Sequence, residues 1–119
     1  MIVRHASATV SVANTNTNGS GTIVDLVTGA ANGTRIDHLI ITAIGSTTNG
    51  VIRFFVHDGS VWRLLKEVTV PETIAAATTP KWTAFASLPA WYVGHNHKLG
   101  VSTHNAETFH VTAMCEDHQ

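Results

Sequence analysis

The feature that most constrains this chain is a two-residue periodicity that never runs for long. Thr108 to Cys115 sets Phe109, Val111, Ala113 and Cys115 against His110, Thr112 and Met114. Lys81 to Leu88 sets Trp82, Ala84, Ala86 and Leu88 against Thr83, Phe85 and Ser87, and Ala6 to Val12 sets Ala6, Ala8, Val10 and Val12 against Ser7, Thr9 and Ser11. Side chains that alternate in this way stand on opposite faces of a strand, one of which turns to a core. Each run is cut by residues that favour turns: Asn14 to Gly21 (NTNTNGSG), Gly29 to Gly33, Gly45 to Gly50 (GSTTNG), Asp58-Gly59-Ser60, Gly94 to His97 and His104 to Glu107.

Between these cuts lie further strand candidates at Thr22 to Thr28, Arg35 to Ile44, Val51 to Asp58, Val61 to Val70, Ala90 to Val93 and Lys98 to Thr103. Arg35 to Ile44 is apolar on nearly both faces, as a central strand is. Val51 to Asp58 and Val61 to Val70, joined at Gly59, give the strongest hairpin signal in the chain. Pro89 is expected to end the strand before it, and Pro71 to Pro80 to form a loop or one short helical turn.

Composition supports strands over helices. The 17 Thr suit a half-exposed pleated surface, whereas three Lys and four Glu are too few to wet the outer faces of a helical protein. The expected fold is all-β: an antiparallel β-sandwich of about eight or nine strands, jelly-roll-like, with residues 1–119 forming one domain that carries a short N-terminal arm. Only 13% of residues are charged and the net charge is −1 with His neutral, so no field exists to hold nucleic acid or an anionic membrane. Low surface charge costs solubility, which suits a chain that works packed against something. One cysteine, Cys115, allows no intrachain disulfide. The start MIVRHASATV lacks a signal peptide's apolar run, so export by that route is not expected.

The chemistry-bearing residues do not assemble into a catalytic pattern. No Gly-x-Ser-x-Gly elbow, phosphate loop or dinucleotide fingerprint is present. The eight acids include no marked pair. Cys115 lies beside Glu116 and Asp117, which raise a thiol's pKa, and reads as a small core residue. His95 and His97 would share a face in a strand and could grip an ion around a threefold axis, but as turn histidines they bind nothing, and no metal or other cofactor is expected. Asn14 to Gly21 has no carboxylate for calcium and reads as a flexible polar loop. Trp62, Trp82, Trp91 and Tyr92 are suited to core and edge packing, or to stacking on sugars.

Two stretches carry a resemblance. One runs from Gly33-Thr34-Arg35-Ile36 through Ile41-Thr42-Ala43-Ile44-Gly45-Ser46-Thr47-Thr48-Asn49-Gly50 to Val51-Ile52-Arg53-Phe54-Phe55-Val56-His57-Asp58-Gly59. The other is Leu88-Pro89-Ala90 with Lys98-Leu99-Gly100-Val101-Ser102-Thr103-His104-Asn105-Ala106-Glu107-Thr108-Phe109-His110-Val111. Together they resemble short virion-associated structural proteins of tailed bacteriophages and prophages, across roughly Thr22 to Ala113. The Ser-Thr-x-Asn-Ala-Glu-Thr-Phe run is the more specific part. In its own right Ser102 to Thr108 reads as a tight turn, with Ser102 and Asn105 making local side-chain to backbone bonds and Glu107 at the surface or on a backbone donor.

The resemblance implies a virion part and supplies no catalytic residues. The expectation is a non-enzymatic decoration (cement) protein on the phage head surface, made in the host cytoplasm and binding the major capsid protein. It is expected to be a homo-oligomer, a trimer rather than a dimer. The expected contacts are Met1, Ile2, Val3, Arg4 and His5 in the arm and Trp82, Trp91 and Tyr92 at an edge. A tail or fibre-attachment component is the alternative, followed by a glycan-binding module using the Trp and Tyr residues.

Overall fold

The computed structural model describes residues 2–118. Its eight strands are β1 (Ile2–Val10), β2 (Val24–Thr28), β3 (Thr34–Ala43), β4 (Gly50–His57), β5 (Trp62–Val70), β6 (Thr83–Val93), β7 (Lys98–Thr103) and β8 (Phe109–Asp117). No helix occurs among the described residues.

The strands pair as nested hairpins, with β4 on β5, β3 on β6, β2 on β7 and β1 on β8. Two further antiparallel ladders, β3 on β8 and β4 on β7, fold the long ribbon into two four-stranded sheets of order β1-β8-β3-β6 and β2-β7-β4-β5. This is the jelly-roll arrangement of a β-sandwich. The core lies between the sheets. Ile36, Leu39, Ile41, Val111, Ala113 and Cys115 face it from one side, and Ile52, Phe54, Leu99 and Val101 from the other. The inward residues of β8 are those its alternation marks. Cys115, 1% exposed, is one of them, and burial is the main cause that pushes its thiol up. Asp117 and Asp37 add to that rise; Glu116 points to the opposite face and does not.

Local irregularities explain where strict alternation fails. On β2 the register slips between Asp25 and Val27, so Leu26 and Val27 can both turn inward. On β3, Asp37 is the extra residue against β8, whereas against β6 the longer side is β6, with residues 88–90 opposite Asp37.

Two expectations are corrected. The segment expected to be a short N-terminal arm is strand within this chain: residues 2–5 belong to β1, in register with β8 from Asp117 to Met114. Pro89 does not end a strand. β6 runs through it to Val93, because β6 is an edge strand and its register slips opposite Asp37, where a missing N–H costs no ladder bond. Residues 71–80, read as a loop or one short helical turn, form the loop, tied by the bridges Thr47↔Thr73 and Ala76↔Thr79.

Candidate functional site

The two sheets are finished differently on their outer faces. Over β2-β7-β4-β5, the connection from β1 to β2 lies flat. Ala13 bridges Thr103 in parallel, and Asn14 N–H donates to the Thr103 carbonyl at 2.8 Å. The buried Asn14 side chain then holds the loop in shape. Its Nδ2 donates to the carbonyls of Ser20 (3.0 Å) and Thr22 (2.9 Å), and its Oδ1 accepts from Asn16 N–H (3.0 Å). Beneath, Arg53 is enclosed, its Nε on Glu67 Oε2 at 3.0 Å and its Nη1 near the Asn14 carbonyl and His104 Nδ1. Phe55 is 0% exposed, yet it lies outside the cluster between the sheets. Gly100 permits the close approach: a Cβ there would meet Ile23 Cγ2 and the Trp62 ring at 2.7 Å. The polar stretch expected to be a flexible loop is thus a packed cover.

Among the described residues the outer face of β1-β8-β3-β6 has no such cover. Register gives its four rows. Val3, Glu116, Arg35 and Tyr92 form the first, and His5, Met114, His38 and Ser87 the second. Ser7, Thr112, Ile40 and Phe85 form the third, and Thr9, His110, Thr42 and Thr83 the last. Phe85 is 76% exposed, Val3 72% and Met114 47%. The charges are confined to one end: Glu116, and Arg35 paired with the bulged Asp37 at 2.9 Å. Apolar, Thr, Ser and His side chains fill the rest, which is an unusual finish for a sheet in water.

Of the residues expected to make contacts, Ile2 to His5 and Trp91 and Tyr92 fall on the two edge strands of this same sheet, and Trp82 just precedes β6. Val3 and His5 are on its open face and Ile2 is exposed at its end; Met1 lies outside the described residues. Arg4 turns the other way. Its Nε donates to Asp117 Oδ2 at 2.8 Å and its Nη2 reaches the Thr28 carbonyl on the second sheet at 3.3 Å, while Thr34 Oγ1 donates to Asp117 Oδ1 at 2.7 Å. Arg4, then Thr34, hold the Asp117 carboxyl below its ordinary value. Trp82 packs edge-on against Phe109 with 6.1 Å between centroids, and so belongs to the core margin. Tyr92 is exposed and stacks on His118 at 5.3 Å.

Trp91 and Tyr92 also line a cavity of about 150 Å³ at one end of the sandwich, with His57, Asp58, His97 and Lys98. Three of its polar side chains are already engaged. The Asp58 carboxylate accepts from Val61 and Ser60 N–H, which lowers its pKa. Lys98 pairs with Asp25 at 3.2 Å, and His57 Nδ1 accepts from Gly59 N–H. A sugar entering there would find an aromatic wall and few donors aimed at its hydroxyls.

His95 and His97 sit in the β6–β7 turn, where Asn96 has a φ of 61° and Gly29 N–H donates to the His97 carbonyl. That turn breaks the strand geometry by which the two rings would share a face. Among the described residues no three potential metal ligands converge.

The Ser102-to-Phe109 run is a latch. Asn105 Nδ2 donates to Thr48 Oγ1 and to the Asn49 carbonyl, both at 3.0 Å. Glu107 Oε2 accepts from Thr48 N–H and Oγ1. The Asn105 side-chain bonds are therefore long-range rather than local, and the buried Ser102 hydroxyl has no partner among the described residues. The stretches Gly33–Gly59 and Leu88–Val111 are fastened to each other here.

No protein-family model matches the chain, and no curated protein matches it.

Proposed function

We propose that this chain is a non-enzymatic structural protein of a bacteriophage particle: a decoration (cement) subunit that binds the major capsid protein lattice on the head surface. The observation that carries this reading is the contrast between the faces. A chain that covers one sheet with its own loop leaves the other open, nearly free of charge and studded with Phe85, Met114, Val3 and Ile40. Such a face adheres by shape and apolar area, with few fixed charges to desolvate. The resemblance of the Gly33–Gly59 and Leu88–Val111 stretches supplies the phage setting. In this role the chain acts as a homo-oligomer, three copies favoured over two, and gains hold on a repeating shell through many weak contacts made together. The unpaired edges of β1 and β6 offer backbone groups for strand addition to a neighbour.

The test is location and copy number. Sedimentation with DNA-filled heads, in hundreds of copies per particle, supports the reading. A handful of copies confined to tails overturns it in favour of a tail or fibre-attachment part. Glycan binding abolished by Trp91→Ala would replace both with a lectin-like role.

A further inference from the structure

We infer that the cavity at the end of the sandwich, walled by Val56, Trp91, Tyr92 and Val93, is a binding site for one uncharged phenol-type ring. The site goes beyond the proposed structural role and does not depend on it.

Size sets the first limit. A cavity of about 150 Å³ holds a single benzene-sized ring. The walls set the second. Val93 is buried, and Trp91 and Val56 pack against the core from β6 and β4, so the cavity opens where the core runs out. Tyr92 stands exposed, stacked on His118. Aromatic and branched apolar side chains of this kind favour a ring that meets them edge-on or offset.

Charge narrows the choice. An anion entering the cavity meets the Asp58 carboxylate, and a cation meets Lys98. Both are held by partners of their own, Asp58 by the N–H groups of Ser60 and Val61 and Lys98 by Asp25. A neutral ring opposes neither charge.

The remaining polar groups suit one hydroxyl. His57 Nδ1 accepts from Gly59 N–H at 3.1 Å, so Nε2 carries a donor proton. Trp62 packs edge-on against the His57 ring, with 4.9 Å between centroids. His97 brings a second imidazole, lying over Gly94, where a Cβ would stand 3.1 Å from its Nδ1. Two imidazoles serve one hydroxyl that both accepts and donates. A sugar would leave most of its hydroxyls without a partner. The ring has two carriers. One is a free small molecule. The other is a tyrosine on a strand paired to the open edge of β6, which bonds only β3.

Amide chemical shifts of the nitrogen-labelled full chain test this, with circular dichroism to confirm that each variant is folded. The probes are p-cresol, toluene, methyl glucoside and a short peptide with one tyrosine among valines and threonines. p-Cresol is expected to saturate shifts at Asp58, Gly94 and Lys98 with a Kd of about 1 mM or below. Toluene, lacking the hydroxyl, should bind about three- to tenfold more weakly. Methyl glucoside should give no saturable shift. Trp91→Ala should weaken p-cresol by about tenfold or more. His57→Phe keeps a ring in place and should bring p-cresol down to the level of toluene. Ile74→Ser, on the connection at the opposite end of the sandwich, should change nothing. Peptide binding that is tighter than p-cresol, and is lost when its tyrosine becomes alanine, assigns the ring to a strand; p-cresol binding as tightly as the peptide assigns it to a free molecule. Absence of a saturable p-cresol shift, p-cresol bound no better than toluene or methyl glucoside, or full p-cresol affinity in folded Trp91→Ala overturns the inference.

Discussion

The outer faces of the two sheets began with similar raw material and ended differently. Both carry a large aromatic within a strand, Phe55 on one and Phe85 on the other. Phe55 is fully enclosed beneath residues 13–23, while Phe85 keeps 76% of its surface in solvent. Closing the first face took a long connection, a buried Asn14 to hold it in shape and glycine at position 100 to let Ile23 and Trp62 come close. Among the described residues nothing comparable crosses the second. The same kind of residue is thus a structural element where the chain supplies its own cover, and an adhesive element where it does not.

Substitution at the two phenylalanines should separate these roles most sharply. Phe55→Ala removes an enclosed ring and should cost about 3–5 kcal/mol in chemical denaturation. Phe85→Ala, measured on dilute protein, should shift stability by about 0.5 kcal/mol or less. Equal costs would mean that the open face is not open in solution.

Asn14→Ala comes next. It leaves the carbonyls of Ser20 and Thr22 and the N–H of Asn16 without that partner, and should cost about 1–3 kcal/mol. Hydrogen exchange should rise in residues 14–22 and stay unchanged in β1 and β8. A rise confined to β8 would show that the loop is not the cover.

The smallest effect concerns the clip that ties the open sheet to the covered one. Asp117 is held below its ordinary carboxylate value of 3.8 by Arg4 and Thr34. A lowered folded value means stabilisation that is fully present above that ordinary value and is lost as pH falls through the lowered one. Asp117→Asn should therefore cost about 1 kcal/mol at pH 7 and flatten the loss of stability as pH falls below the ordinary carboxylate value. An unchanged acid slope would remove the clip from the account.

Much of the sandwich was legible in the sequence. Phe109, Val111, Ala113 and Cys115 alternate and all four are buried, and the hairpin through Gly59 pairs as its turn residues suggest. Pairing order was not legible, because alternation fixes which face a side chain takes and says nothing of which distant strand lies alongside. The nesting of β1 on β8 joins opposite ends of the chain. The cover was hidden for a different reason: NTNTNGSG has the composition of a wet loop, and Asn14 satisfies its polar groups internally. Two signals pointed towards it, adjacent Phe54 and Phe55 in one strand and a glycine inside the Lys98–Thr103 run. Pro89 misled because an edge strand tolerates what an inner strand rejects. Of the contact residues read from the sequence, Val3, His5 and Tyr92 lie on the open face, whereas Arg4 serves the clip and Trp82 the core margin.

The most direct measurement is hydroxyl-radical footprinting of the protein as it passes from dilute solution into its assembled form. Labelling of Phe85 and Met114 should fall strongly on assembly, while Leu64, exposed on β5 of the other sheet, keeps its reactivity. Undiminished labelling of Phe85 and Met114 in the assembled form, with protection at Leu64 instead, would contradict the assignment of the open face as the adhesive one.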